Sequence, residues 1–222
     1  MASRTAKRRR VLTAAMLLGA VTIAIAAPPP DAGWQAYRKR DYSAAWADFE
    51  QRARDGDRVA QFNLAMMLMR GEKGATDVAG GLVWLQRSAD AGLAQAQYNL
   101  GLMYENGVGV ARSLTAATLW WSRAAEQGHT DSQVQLATQY FLGRGAAKDW
   151  KLAAKWYEAA AQGGDVGAQY IIGSLYEHGD GVAQDLSKAL AWYVEAARQG
   201  DIGAAAQAKD VARRLSAAPR AP

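Results

Sequence analysis

The sequence contains no cysteine and only two histidines. The lack of cysteine excludes disulfide bonds, thiolate metal sites and cysteine nucleophiles, so the apolar core alone must stabilise the fold. Neither histidine has the spacing of a metal-ligand pair, since His129 follows Gly128 and His178 precedes Gly179. We interpret both histidines as solvated surface side chains.

Motifs of catalysis are also missing. The sequence has no Gly-x-Ser-x-Gly and no His-Glu-x-x-His. The Gly-x-Gly segments at 107–109 and 143–145 lack the third glycine and the Lys-Ser/Thr pair of phosphate-binding loops, so we interpret them as turns. We predict no catalytic residue, no metal site and no cofactor, and therefore a protein that is not an enzyme.

The first residues carry all of the excess charge. The whole sequence has 26 Lys and Arg against 21 Asp and Glu. Residues 1–26 hold five of the basic residues and none of the acidic ones, so the rest of the chain is neutral. A neutral body has no strong field to attract phosphate groups, and we predict no binding to nucleic acid.

The N-terminal segment has the pattern of a secretory signal peptide. A basic head ends at Arg10, the stretch Val11 to Ala27 is uncharged, and Ala24-Ile25-Ala26 has the small-x-small pattern of a cleavage site. We predict a signal peptide over 1–26 with cleavage after Ala26, a linker over 27–33, and a periplasmic or secreted protein. The alternative is an uncleaved inner-membrane anchor, for which a stretch of 17 uncharged residues is at the short limit.

A fixed period of 36 residues dominates the rest of the chain. Tryptophan recurs with that spacing at Trp84, Trp120, Trp156 and Trp192. Glycine recurs with it in two further columns: Gly56, Gly92, Gly128, Gly164 and Gly200, and Gly71, Gly107, Gly143 and Gly179. Such a period is the signature of a solenoid, in which one small unit stacks on copies of itself.

Each repeat has the pattern of two helices separated by a glycine turn. Residues that cap helix N-termini recur at the start of the second helix: Asp41, Asp77, Ser113, Asp149 and Asp185. Small residues at fixed columns, such as Ala65, Gly101, Ala137 and Gly173, let neighbouring helices approach closely. We predict that the recurring tryptophans fill the core with their indole N–H groups satisfied.

The predicted fold is all-α, a superhelical solenoid of helix-turn-helix repeats over residues 34–215. Four full repeats cover 57–92, 93–128, 129–164 and 165–200. A shorter N-terminal helix pair precedes them, a polar capping helix follows, and we predict a disordered tail over 216–222.

The repeat residues resemble those of the Sel1-like repeat family, a relative of the tetratricopeptide repeats. The resemblance rests on Ala96-Gln97-Tyr98-Asn99-Leu100-Gly101, on Gly107-x-Gly109, and on Trp120 followed by Ala124-Ala125-Glu126-Gln127-Gly128. It implies an α-helical superhelix that works as a protein-interaction scaffold. In tetratricopeptide-like stacks the first helices line the concave side.

That register predicts a groove for a protein or peptide partner. Amide, hydroxyl and apolar side chains alternate there, which suits an extended peptide. The candidate partner-binding residues are Asn63, Met66, Arg70, Asn99, Leu102, Glu105, Asn106, Gln135, Thr138, Ser174 and Glu177.

Two other functions compete with this exported scaffold. One is a cell-envelope hydrolase, related to β-lactams or the cell wall, which cysteine-bearing members of the resembled family suggest and this chain does not match. The other is a structural protein that an uncleaved N-terminal segment tethers to the membrane.

Overall fold

A computed structural model describes residues 32–217. The predicted signal peptide and its alternative as an anchor lie outside these residues. The described chain folds into successive helices: α1 Ala32–Arg38, α2 Tyr42–Arg54, α3 Arg58–Arg70, α4 Val78–Asp90, α5 Ala94–Asn106, α6 Leu114–Ala125, α7 Thr130–Leu142, α8 Trp150–Gln162, α9 Val166–His178, α10 Leu186–Arg198 and α11 Ile202–Ala217.

Each helix packs principally on the helix before it and the helix after it, which is the arrangement of a solenoid. Within the described residues every regular element is helical, so the predicted all-α class is confirmed. The ends differ slightly from the predicted bounds. Helix α1 begins inside the predicted linker, at Ala32, and α11 continues to Ala217, inside the predicted tail.

Side-chain caps begin most of the helices. All five predicted caps of the second helices accept a bond from a backbone N–H of the first helical turn. Asp57, Asp165 and Asp201 cap first helices in the same way. His129 also acts as a cap, because its Nδ1 accepts from the backbone N–H of Ser132 at 3.2 Å. Our interpretation of His129 as merely solvated is therefore corrected.

Glycine is required at the turn inside each repeat. Gly107 ends α5 with φ of 71°, a left-handed conformation that side chains disfavour. Two residues into the equivalent turn of the last repeat, Gly181 approaches the previous repeat. A Cβ atom there would lie 2.1 Å from the carbonyl oxygen of Trp150. The second glycine of the turn is thus a contact between repeats.

A column of buried glutamines joins successive repeats. Each side-chain amide donates to a carbonyl at the C-terminal end of the preceding helix, at 3.0 to 3.2 Å. Each of these carbonyls lies in the last turn of its helix and also accepts from the N–H of the glycine three residues further on. The four bonds run from Gln61 to Ala53, from Gln97 to Ala89, from Gln133 to Ala125 and from Gln169 to Ala161.

The recurring tryptophans lie at the edge of the core. Trp120 is buried, and the other three are half-buried against apolar clusters, so their predicted packing role is confirmed. Three of them carry a stacked cation 4.5 to 4.7 Å from the ring centroid: Arg87 on Trp84, Arg123 on Trp120 and Lys155 on Trp156. None of the four indole N–H groups is buried without a hydrogen-bond partner in the described chain, in keeping with the prediction that they are satisfied.

Candidate partner-binding surface

The eleven candidate residues lie on the four first helices of the full repeats, which we call the first-helix face. Their distribution is three on α3, four on α5, two on α7 and two on α9. The structure gathers the α3 and α5 residues, except Glu105, around two adjoining cavities. The α7 and α9 residues do not border either cavity.

The first cavity, which we call the N-terminal cavity, has a volume of about 210 Å³. Four of the predicted residues line it: Asn63, Met66, Arg70 and Asn99. The second cavity has a volume of about 200 Å³. Its lining includes Met66, Asn99, Leu102 and Asn106. Because Met66 and Asn99 border both, the two cavities adjoin, and we call them together the groove between α3 and α5.

The three asparagines of this groove differ in their bonding. Asn99 donates to the carbonyl of Gln95 at 2.7 Å, and Asn106 donates to that of Leu102 at 2.9 Å, so both use their amide on their own helix. Asn63 is 7% exposed, and its carboxamide has no partner within residues 32–217. Neither of its amide atoms is among the fully buried atoms without a partner, so the amide is accessible at the cavity surface, where it can bond a ligand.

Sequence reasoning missed the contribution of the N-terminal helix pair. Trp34 and Tyr37 on α1 and Phe49 on α2 complete the N-terminal cavity. The Trp34 ring meets Tyr37 at 5.5 Å and Phe49 at 5.9 Å between centroids, both edge to face. The sequence shows these aromatic residues, but they lie outside the four full repeats, so the repeat pattern does not place them beside the first helices.

The rim of the N-terminal cavity is a bonded polar cluster. Tyr37 donates its hydroxyl to Glu72 at 2.6 Å and accepts from Arg70 at 3.2 Å. The bond to Glu72, together with burial, raises the pKa of Tyr37 above its ordinary value. Arg70 and Glu72 also pair at 3.7 Å, so opposite charges balance at the rim.

The C-terminal candidates have other partners. Thr138 donates to the carbonyl of Val134 at 2.8 Å. Its hydroxyl also lies 3.0 Å from that of Tyr157. Ser174 Oγ is 3.5 Å from Nδ1 of His178. Thr138 thus bonds within α7 and to α8, Ser174 contacts a residue of its own helix, and neither lines a cavity of the groove.

Glu177 is corrected as a candidate. It is 7% exposed, and it accepts from Tyr193 at 2.9 Å through one carboxylate oxygen and from Arg214 through the other. Burial, and then the bond to Glu177, raise the pKa of Tyr193. The carboxylate therefore fastens α11 against α9 and α10, and it is not available to a partner. A repeat pattern gives no sign of this role, because the capping helix ends the period.

Two serine–histidine contacts deserve comparison with a hydrolase site. Ser132 Oγ lies 3.1 Å from Nδ1 of His129, but Ser132 is completely buried. His178 Nδ1 lies 2.9 Å from the carbonyl oxygen of Ser174, so this nitrogen carries a proton and cannot act as a base toward the serine. Neither pair presents an activated nucleophile to a substrate.

Within residues 32–217, no group of three His, Cys, Asp or Glu side chains is placed to hold a metal ion. Over the same range, no helix is both long enough and apolar enough to cross a membrane.

The fold and its groove define a helical-repeat solenoid. The Sel1 repeat matches four successive segments, residues 58–93, 94–129, 130–165 and 166–201, which make up more than half of the chain. The chain belongs to the Sel1 repeat family, as the sequence resemblance predicted. Sel1 repeat proteins are helical scaffolds for protein interaction.

Solved structures of similar proteins agree with this assignment. A Sel1 repeat protein from Oxalobacter formigenes is 30% identical, with a TM-score of 0.76, and the match covers 85% of this chain and 78% of that one. A protective antigen of uropathogenic Escherichia coli with the same repeat fold is 33% identical, with a TM-score of 0.66. That match covers 72% of this chain but only 34% of the antigen, so this chain spans about a third of its length. No match is found among curated protein sequences.

Proposed function

We propose that this protein is an exported, non-enzymatic adaptor that binds a protein or peptide partner in the groove between α3 and α5. The observation that carries the proposal is the pair of adjoining cavities, where Met66 and Leu102 supply apolar surface and Asn63 supplies a free amide. An extended peptide needs both kinds of contact, because its backbone seeks hydrogen bonds and its side chains seek apolar pockets.

Site-specific photo-crosslinking in the cell envelope tests the binding site. A photoreactive amino acid replaces Asn106, which is exposed at the rim of the second cavity. The matched control carries the same group in place of Leu119, which is 53% exposed on the second helix of that repeat. We expect a discrete crosslinked partner from position 106 only. Equal crosslinking from both positions, or none from position 106, would contradict the proposal.

Export is tested separately by mass spectrometry of the protein purified from its native cell. We propose periplasmic or secreted localisation, supported by the pattern of residues 1–26, and we expect the mature chain to begin at Ala27. A chain that retains residues 1–26 and fractionates with the inner membrane would instead favour the tethered structural protein.

A further inference from the structure

The N-terminal cavity is lined in part by helices that precede the repeats. Trp34, Tyr37 and Phe49 come from α1 and α2, which lie before the first matched Sel1 segment at residue 58. Gly33 lets α1 approach α2 closely, because a Cβ atom there would lie 2.6 Å from Cε1 of Phe49. The helix pair therefore forms one wall of a cavity whose other wall belongs to the repeats.

The lining of this cavity favours an aromatic guest. Trp34 is 42% exposed at its edge, and it already meets two aromatic rings edge to face. Methionine sulfur from Met66 and Met67 adds a polarisable surface, which also pairs well with aromatic rings. Another ring that enters here finds the edge-to-face partners that aromatic side chains prefer.

The volume limits the size of the guest. Pockets that hold a whole small molecule typically measure about 300 to 1,000 Å³. The N-terminal cavity, at about 210 Å³, is smaller and suits a single large side chain. The balanced pair of Arg70 and Glu72 at the rim gives no net charge that would select a charged side chain.

The amide of Asn63 indicates that the guest side chain belongs to a peptide. A carboxamide has both donors and an acceptor, and a peptide group presents one of each. The Asn63 amide lines the cavity and has no hydrogen-bond partner in the part of the chain that the structure describes, unlike that of Asn99 one repeat later. A peptide group placed beside the cavity would satisfy it.

We infer that the N-terminal cavity is an anchor site for one aromatic side chain of an extended peptide, with Asn63 bonding the peptide group next to it. This inference rests on the proposed function of the groove and names the residue class that the partner must carry.

Titration with a blocked amino acid tests the anchor site directly. The probe is N-acetylphenylalaninamide, which carries one aromatic side chain flanked by two amide groups. Its binding is followed through the nuclear magnetic resonance signals of the purified full chain. We expect saturable shifts of the Asn63 side-chain amide and the Trp34 indole N–H. N-acetylalaninamide at the same concentrations should leave both signals in place, and N-acetylleucinamide should bind more weakly than the aromatic probe.

Variants separate the anchor site from the rest of the groove. Asn63→Leu should weaken binding of the aromatic probe about fivefold, the equivalent of one ordinary hydrogen bond. Gln86→Leu, which changes a surface amide of α4 that lines neither cavity of the groove, should bind like the parent chain. Trp34→Ala changes a site that is 42% exposed and should abolish the shift of the Asn63 side-chain amide. This variant decides the matter if Asn63→Leu does not fold.

Three results would overturn the inference. They are no shift at cavity residues, equal binding of the leucine and aromatic probes, or unchanged binding of the aromatic probe by both Asn63→Leu and Trp34→Ala. If crosslinking from position 106 persists alongside such a result, the inference of an aromatic anchor site is refuted and the proposed function of the groove stands. If that crosslinking is also absent, the proposed function of the groove is refuted as well.

Discussion

Gly101 and Trp121 fit together because the glycine has no side chain. A Cβ atom on Gly101 would lie 2.3 Å from Nε1 of Trp121, far inside a van der Waals contact. Trp121 is completely buried, and its indole N–H donates to the carbonyl of Tyr98 at 3.3 Å, so the ring has no room to move away. One repeat earlier the same two columns hold Ala65 and Leu85.

Gly101→Ala is therefore expected to destabilise the protein by about 1–3 kcal/mol through overpacking. In a Trp121→Leu background, which recreates the pairing of the earlier repeat, the same change should become stabilising by up to about 1 kcal/mol, because alanine is the better helix former. Urea unfolding of the four proteins measures both effects. An effect of the same sign in both backgrounds would show that the fit is not the cause.

The 36-residue period accounts for what was predictable. Asp149 recurs in a column of helix N-caps and Gly107 in a column of left-handed turn glycines, so the caps and turns could be predicted from the sequence. The cavity wall did not, because Trp34 lies outside the full repeats and its neighbours are set by how α1 rests on α2. Glu177 was misjudged for a similar reason, since Arg214 reaches it from a helix that ends the period.

A missing hydrogen bond in the glutamine column gives a second prediction. Gln127 donates to Gln97 Oε1 at 2.8 Å, and two repeats later Gln199 donates to Gln169 Oε1 at 2.9 Å. In the first repeat this position is Ala91, and Oε1 of Gln61 is buried without a partner within the described residues. Ala91→Gln should supply the donor and stabilise the protein by about 0.5–1.5 kcal/mol.

Thermal and urea unfolding measure this gain, and a Gln61→Met background is its control. The acceptor is absent there, so Ala91→Gln should give no stabilisation. A gain of equal size in that background would mean that the new side chain acts through helix propensity or surface packing instead.

Gln139 is a polar residue in an apolar column. It is 2% exposed, and its Oε1 has no partner among residues 32–217. The equivalent positions hold Met67, Met103 and Leu175. Gln139→Met removes the unsatisfied oxygen at nearly constant volume and should raise the free energy of unfolding by about 1–3 kcal/mol.

The matched control for this change lies on the same helix. Gln133 donates to the carbonyl of Ala125 at 3.2 Å, so Gln133→Met removes a satisfied buried bond and should destabilise the protein. Differential scanning calorimetry of the two variants should therefore give shifts in melting temperature of opposite sign. Shifts of the same sign would contradict the bonding that the structure assigns to these two amides.

Arg214 and Arg213 are neighbours on α11 with unequal roles. Arg214 bonds the buried carboxylate of Glu177, whereas Arg213 pairs at the surface with Asp210 at 2.9 Å. Arg214→Met should loosen α11 by about 1.5–3 kcal/mol, because it removes a hydrogen bond to a buried charged group. Arg213→Met should cost less than about 0.5 kcal/mol. Hydrogen exchange of the α11 amides distinguishes them, and equal protection in both variants would refute the fastening role of Glu177.

The junction between α2 and α3 should weaken in acid because of Asp57. Burial opposes ionisation of this carboxyl, but hydrogen bonds from Arg52 and from the N–H groups of Ala60 and Val59 outweigh it, so the pKa of Asp57 lies below its ordinary value of 3.8. A carboxyl with a depressed pKa in the folded state contributes stability above its unfolded pKa. That contribution is lost as the pH falls through the folded pKa.

Asp57→Asn tests the acid effect, because asparagine caps a helix as well as aspartate but cannot pair with Arg52. The parent should be more stable than this variant near neutral pH, within about 1 kcal/mol for a partly exposed pair. The difference should shrink below about pH 4, and urea unfolding over that range measures it. Asp165→Asn is the control, since Asp165 caps α9 with no arginine partner among the described residues. A difference for Asp57→Asn that stays constant from neutral pH into acid would show that the ion pair with Arg52 does not stabilise this junction.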